Sequence, residues 1–381
     1  MCRVKFRFLL LGNERLLKRC AGHLLSESQT IVAVVTDNVE MSLWAQSESL
    51  KTLSSSEYQR EIDNEQIDYI ISVTYPHKIP LSIINKAKYN AFNYHDGPLP
   101  KYAGMNCSAW AIFNDEAEHG IVWHQMTEQF DAGQIVKKAL VTIEETETSV
   151  SLNIKNTLLA LDLFKSIVTD ILSNSIVLID QDTATPRSFY SSYHRPPNLC
   201  FIDLNAKARE ISCLVRACNF GQYTNPFGSP KLKHNNQVII VHDITILNKN
   251  SNKSAGALIR INSQSIEVST NDYHIELKGL TSINGLSLTG QAASDILYIR
   301  SGDQFDADVI VNRNINEQIA KAEPYYLKQI AECTKTEIPV TDEAKQLSPA
   351  TNCVVHSTGS LSQYEYLSAF MIACSSLSRQ E

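Results

Sequence analysis

Long apolar runs are missing. No stretch of the 381 residues approaches the roughly 18–20 that a helix needs to cross a bilayer, so no membrane-spanning helix is expected. Positive charge is scarce too: Lys and Arg number 34 against 41 Asp and Glu, a formal net charge of -7. That balance gives no general attraction to a phosphate backbone. Cysteine occurs nine times, but in no CxxC pair and at no zinc-ligand spacing. Such an odd, scattered set reads as the reduced, mostly buried thiols of a cytoplasmic protein. The turn "LGNE" after the first apolar run lacks the GxGxxG fingerprint, which argues against a nicotinamide site. No internal repeat is visible.

The opening segment "MCRVKFRFLLLGNERLL" has basic residues ahead of an apolar run, as a signal peptide would. The run is short, however, and Gly12, Asn13, Glu14 and Arg15 stand where a small-residue cleavage site belongs. A first β-strand over residues 6–11 is the better reading. With 43% hydrophobic and 20% charged residues, the chain has the profile of a soluble globular protein, and its length suggests two or three domains.

Periodicity carries the next step. "LLKRCAGHLL" (16–25) repeats at helical spacing, and "TIVAVVTD" (30–37) is a β-branched strand. "MSLWAQSESL" (41–50) reads as a helix, "IDYIISVTY" (67–75) as a strand buried on both faces, "LSIINKAKY" (81–89) as a helix and "NAFNYH" (90–95) as a fourth strand. The alternation predicts a parallel α/β sheet. Ligands of such sheets bind beyond the carboxyl ends of the strands, where Tyr75 and His95 fall. Residues 117–143 read as two strands around the loop "TEQFDAGQ", and 149–172 as a long amphipathic helix. The polar, proline-bearing "DTATPRSFYSSYHRPPN" (182–198) reads as a linker. A short helix (205–219), a turn (221–231) and several short strands to about Ile299 predict a small β-rich second domain.

The segment "FNYHDGPLPKYAG" (92–104) combines an amide, an imidazole and two prolines at the end of an apolar run. In isolation it would mean no more than a turn, since Asn, Asp, Gly and Pro form turns on backbone grounds alone. Its context adds chemistry, because Asn93 and His95 are followed, after a strand pair, by Asp131 in "FDAGQI". The order N-x-H, x-x-L-P, G, then a D-x-G loop resembles the 10-formyltetrahydrofolate-dependent formyltransferases. That family includes the enzyme that formylates initiator methionyl-tRNA, and sugar N-formyltransferases.

The resemblance covers about residues 1–195 and, more faintly, 203–300, chiefly through "LVRACNFGQYTNPF". It implies a Rossmann-like, parallel-sheet α/β catalytic domain over 1–195, a β-barrel-like C-terminal domain over 203–300, and 10-formyltetrahydrofolate as formyl donor. In that chemistry an amine attacks the formyl carbon and charge builds on the formyl oxygen. Asn93 would donate to that oxygen; losing one such donor typically costs about 10²–10³ in rate. His95 can stabilise the same charge and exchange protons with amine or leaving group. Asp131 would orient the imidazole and relay the proton.

The resemblance further implies a pterin pocket lined by "TYPHKIP", with Tyr75, His77 and Ile79, and by Gly97, Pro98, Leu99 and Pro100. The family has Ser-Leu-Leu-Pro in this last segment, so Gly97 removes a hydroxyl while the main-chain path stays plausible. His119 and His124, five apart around a strand, point to opposite faces and cannot share a metal. His124 reads as a structural histidine, with a place facing the cleft as the alternative, Asp96 as a solvated loop carboxylate, and Trp110 and Phe113 as core.

The acceptor must be read from the rest of the chain. Residues 205–300 hold ten Lys and Arg against six Asp and Glu, a weak excess for a tRNA. The tail segment "NEQIAKAEPYYLKQIAECTKTEIPV" (316–340) resembles the entry that precedes the adenylation part of nonribosomal peptide synthetases, and "YEYLSAFMIACSSLSRQE" (364–381) resembles the apolar helix that follows it in those enzymes. "HGIVWHQM" and "SLNIK" look like the formylation domains that head such assembly lines, as in a cyanobacterial synthetase. Residues 301–381 are then a linker and the beginning of an adjoining synthetase domain. The expected acceptor is the α-amine of an aminoacyl thioester on a carrier protein's phosphopantetheine arm. Carrier protein and downstream adenylation domain are the expected partners, with neither membrane nor nucleic acid. A sugar N-formyltransferase, a methionyl-tRNA formyltransferase, a formyl-tetrahydrofolate hydrolase and a non-catalytic docking module are the other readings. The intact Asn93, His95 and Asp131 set argues against the last.

Overall fold

Strand β1 (Arg7–Gly12) is buried from Phe8 onward because a parallel strand pairs with it on each side, β2 (Thr30–Val35) and β4 (Ile67–Val73). Between β1 and β2 runs α1 (Arg15–Ser26), which buries Leu16, Leu17, Cys20, Ala21 and Leu24, one face of a helix. After β2 come α2 (Val39–Ser47), β3 (Thr52–Leu53) and α3 (Tyr58–Glu61). Helix α2 starts where the Asn38 side chain accepts the Met41 N–H, satisfying a backbone donor that the helix cannot. The computed structural model describes residues 4–306 except Thr224, together with 318–322 and 325.

Beyond β4 lie α4 (Leu81–Ile84), β5 (Ala87–His95), β6 (Ala103–Gly104), α5 (Cys107–Phe113), β7 (Glu118–Gln125), β8 (Ile135–Thr142) and α6 (Ser149–Leu172). The large sheet has the order β3-β2-β1-β4-β5-β7-β8. Its first five strands are parallel, and β7 and β8 run antiparallel to their neighbours. The helix expected over 81–89 is a correction: it stops after one turn at Ile84, and the chain is already in strand at Ala87, paired with Ile67. Tyr89 stacks on Tyr69 of the neighbouring strand, centroids 5.4 Å apart, and this cross-strand contact outweighs the weak helical spacing before it. Helix α6 closes one face of the sheet over Trp123, whose indole N–H donates to the Ala160 carbonyl at 3.0 Å. No helix among the described residues is long and apolar enough to cross a membrane.

The remaining elements are β9 (Phe189–Tyr190), α7 (Ala208–Ala217), β10 (Lys231–His234), β11 (Gln237–Asn250), β12 (Leu258–Ile261), β13 (Ile266–Ser269), β14 (Tyr273–Ser282) and α8 (Gly290–Leu297). Strands β10 to β14 form a curled antiparallel sheet of order β10-β11-β14-β13-β12. Its two edge strands, β10 and β12, do not pair with each other. Residues 301–306, expected to open the tail, instead continue onto this sheet. The Leu258 N–H donates to Asp303 O, the Phe305 N–H donates to Gly256 O, and Phe305 is buried. The tail segments read over 316–340 and 364–381 otherwise lie outside the described residues.

One apolar core joins α5 to the second sheet. Trp110 stacks on Tyr190, centroids 4.6 Å apart, and packs at 4.6 Å against Phe227. The same buried cluster runs on through Ile211, Val215, Leu232, Ile239 and Val241. The described residues up to Ala320 form a single compact unit. Replacing Trp110 by Ala is expected to destabilise this unit by about 3–5 kcal/mol. It should unfold in one step, with far-UV circular dichroism and tryptophan fluorescence coincident in urea. Two separated transitions would show that the sheets have independent cores.

Candidate active site

Alternation along β5 sends Phe92 and Tyr94 into the core under α6 and puts Asn93 and His95 on the other face. The antiparallel register with β7 sets His124 directly opposite Asn93, and opposed residues in a sheet share a face. Asn93 Nδ2 lies 3.2 Å from His124 Nε2 and donates its other hydrogen to Tyr94 O at 2.9 Å. His124 Nδ1 is 2.9 Å from Gln125 O. A carbonyl only accepts, so Nδ1 carries the hydrogen and Nε2 of the neutral ring accepts from Asn93.

His95 is held the opposite way round. Its Nε2 donates to Tyr102 O at 2.7 Å, and its Nδ1 faces Asp131 Oδ1 across 3.7 Å. His124 Nε2 lies 3.5 Å from the same carboxylate oxygen. The second oxygen, Oδ2, accepts the Gly104 N–H at 2.9 Å. Two imidazoles and a carboxylate thus converge, with the Asn93 amide against one of the rings. Burial alone would raise the Asp131 carboxyl pKa. When the two rings carry a proton on the nitrogens that face it, the hydrogen bond from His124, the charges of His95 and His124 and the Gly104 N–H outweigh burial and hold the group well below the usual carboxylate range.

Two glycines are demanded by close approach. A Cβ on Gly97 would sit 2.5 Å from Tyr102 O and 2.7 Å from His95 Nε2, so a serine here would displace the hydrogen-bonded imidazole. A Cβ on Gly133, the glycine of the D-x-G loop, would sit 1.8 Å from Gln125 O.

Asn93, His95 and Asp131 are therefore brought together as a set. His124, read as structural, belongs beside them, and the signal that reveals it is the β5–β7 register. His119 points elsewhere and donates through Nε2 to Asp96 O at 2.6 Å. Asp96 is half-buried instead of solvated, accepting from Ser108 Oγ at 3.2 Å. Burial and the Asp96 charge raise the Glu14 carboxyl pKa. Trp110 and Phe113 are core, as expected.

The loop after β4 carries Tyr75, His77 and Ile79. His77 is exposed and meets Asp37, beyond the end of β2, at 3.1 Å. Tyr75 is edge-on to His77, centroids 5.4 Å apart, while Ile79 is buried with Leu9, Leu11 and Val35. Lys78 lies 5.8 Å from the Phe130 ring and so joins this loop to that of Asp131. Of the segment after β5, Pro98 is half-buried, Pro100 is buried, and Leu99 packs with Ala103, Val122 and Ile135.

His95, Asp96 and Cys107 each place one possible ligand atom within 4.8 Å of the others. Imidazole and thiol both donate to the Tyr102 carbonyl, however, the thiol at 2.8 Å. Burial, with the Asp96 and Asp131 charges, pushes the Cys107 thiol pKa well up and disfavours the thiolate that a metal requires. The segment 182–198 is also a correction, since it is no loose linker. Its β9 pairs with β6, and Arg187 and Ser188 hydrogen-bond to the loops of the site. Polar side chains that suit a solvated tether here donate to, or accept from, backbone groups.

A parallel-sheet protein with an amide, two imidazoles and a carboxylate at its strand ends has the makings of a group-transfer enzyme. Comparison with known proteins supplies the family. Residues 14–162 match the formyl transferase family, and 196–293 match the formyl transferase C-terminal domain. The chain is 30% identical over 221 residues to the methionyl-tRNA formyltransferase of Ureaplasma urealyticum, 58% of this chain and 69% of that one. It is 39% identical over 99 residues to the GDP-perosamine N-formyltransferase of Brucella melitensis, 26% of this chain and 38% of that one. Among solved structures, an N-formyltransferase from Helicobacter canadensis, in complex with folinic acid and dTDP-3-aminofucose, superposes with a TM-score of 0.57. That match is 18% identical and covers 72% of this chain and 99% of the other. The chain belongs to the formyl transferase family. It spans about two thirds of the length of the methionyl-tRNA formyltransferases that it matches, 66% of that from Clostridium novyi.

The Asp131 environment has a consequence for stability. Its folded-state pKa is depressed, so its contribution is fully present above the unfolded value of about 3.9 and is lost as pH falls below it. The stability gap between the wild type and Asp131→Asn, measured by urea unfolding, is expected to hold from pH 7 to pH 5. It should narrow below about pH 4. A gap unchanged down to pH 3 would show that the carboxylate is not held in this way.

Proposed function

We propose that the protein is a folate-dependent N-formyltransferase, moving the formyl group of 10-formyltetrahydrofolate to a primary amine. The observation that carries this is the meeting of Asn93, His95 and Asp131 at the strand ends of a formyl transferase fold. The folate supplies the carbon to be transferred; the amine nitrogen bonds to it as its bond to the folate nitrogen breaks. One proton leaves the amine and one reaches the departing nitrogen.

The residues divide this work. An Asn93 N–H stabilises charge on the formyl oxygen, but both of its hydrogens are engaged, one of them with His124. A proton on His124 Nε2 ends that acceptance and faces Asp131 Oδ1, 3.5 Å away, freeing one hydrogen of the amide. His95 has Nε2 committed to Tyr102 O, so Nδ1 is its position for proton exchange, and Asp131 stabilises the imidazolium that results.

For the acceptor, our reading is the α-amine of an aminoacyl thioester on the phosphopantetheine arm of a carrier protein, at the start of nonribosomal peptide synthesis. The sequence resemblance of the tail supports it, as does the small positive excess of residues 205–300, which suits an acidic carrier better than a long polyanion. The named relatives favour methionyl-tRNA or a nucleotide-linked amino sugar, and the test includes both.

Asn93→Ala, His95→Ala and Asp131→Asn are each expected to lower formyl transfer by about 10² or more, with folate affinity little changed. Full turnover by a folded His95→Ala protein would remove the assignment. Rates are then compared at physiological salt on a carrier-bound aminoacyl thioester, methionyl-tRNA and a nucleotide-linked amino sugar. A clear preference for the carrier substrate is expected; preference for either of the others, or equal rates, would overturn the acceptor.

A further inference from the structure

We propose that residues 181–190 are a strap that sets the gap between His95 and Asp131, with Gln181 and Arg187 as positioning residues for formyl transfer; this rests on the function proposed above. The backbone of Asp131 lies in the left-handed region, φ +51°, which is uncommon outside glycine, though Asp enters it more readily than most residues. Contacts from outside the loop fix it there. The Asp131 carbonyl accepts two hydrogen bonds, from Gln181 Nε2 and from Arg187 Nη1, both at 2.9 Å. Arg187 Nη2 donates to Phe130 O at 2.8 Å, and Gln181 Nε2 is also 2.9 Å from Gly133 O. The planar guanidinium therefore bridges two successive carbonyls, a geometry that a single ammonium cannot reproduce.

The same segment holds the other half of the site. The Tyr102 N–H donates to Ser188 Oγ at 2.7 Å, the Ala103 N–H to Ser188 O at 3.0 Å and the Met105 N–H to Tyr190 O at 2.8 Å. Those residues carry the Tyr102 carbonyl that holds His95 and the Gly104 N–H that holds Asp131. Both members of the His95–Asp131 pair are thus referenced to one short stretch of chain. Misplacement of reacting groups by about 1 Å can cost on the order of 10² in rate.

The test compares Arg187→Ala, Gln181→Ala and Arg187→Lys in the wild-type and Asp131→Asn backgrounds. It reads kcat, KM for 10-formyltetrahydrofolate and the urea midpoint. Each alanine variant is expected to lower kcat about tenfold in the wild-type background, by displacing Asp131. KM should stay close to the wild-type value, and Arg187→Lys or added guanidinium should restore part of the rate. In the Asp131→Asn background the same substitutions should have little further effect, because the carboxylate through which they act is gone. Equal losses in both backgrounds, unchanged kcat in both alanine variants, or a change confined to KM would each overturn the strap. Should Arg187→Ala fail to fold, Gln181→Ala and Arg187→Lys are read by the same criteria. If Asp131→Asn loses activity while the strap variants keep it, only the strap falls. If the wild type transfers no formyl group to any amine, the function fails and the strap's role with it.

Discussion

The hydrogen bond from His95 to the Tyr102 carbonyl organises the rest of the site. It fixes which ring nitrogen carries a hydrogen, and so leaves Nδ1 as the nitrogen that faces Asp131. It also excludes a side chain at position 97, where a Cβ would strike both partners. The Cys107 thiol donates to the same carbonyl, so helix α5 begins with its first residue tied to the histidine's support. A carbonyl that serves two donors must itself be held still, which explains the hydrogen bonds that residues 102–105 make to Ser188 and Tyr190.

Electrostatics in this small volume are balanced by geometry. A carboxylate removed from water is costly unless it is paired and hydrogen-bonded. Asp131 meets two imidazoles and a backbone N–H. The amide of Asn93 and the ring of His124 complete a circuit in which protonation at one nitrogen changes what its neighbour can donate. The chain keeps this circuit on strands β5 and β7 and on one clamped loop, where side-chain directions are set by the backbone.

Much of this was legible in the amino-acid sequence, for identifiable reasons. Short apolar and β-branched runs revealed β1, β2 and β4, which are buried nearly throughout, and the period of 3.6 residues revealed α1, which buries one face. Asn93, His95 and Asp131 were visible because their types and order carry the chemistry. His124 was hidden because its relation to Asn93 is a matter of register between strands 31 residues apart. The false helix at 86–89 came from residues whose strand conformation depends on Tyr69, a partner that local spacing does not show. Gln181 and Arg187 escaped notice because their partners are backbone carbonyls, and a carbonyl has no letter in a sequence.

The core around Trp110 has a consequence for how such a protein can be rearranged. Helix α5 contacts His95 through its first residue and the second sheet's core through Trp110. The stretch between them is too short to absorb a change at either end. A foreign C-terminal sheet joined near residue 200 would leave Tyr190 in place but arrive without the face of Phe227 that Trp110 packs against, leaving aromatic surface unpaired beside the site. Grafting onto this chain therefore has to treat Trp110, Tyr190 and Phe227 as one inherited block. The compact unit that any cut must spare runs on to Ala320, itself buried.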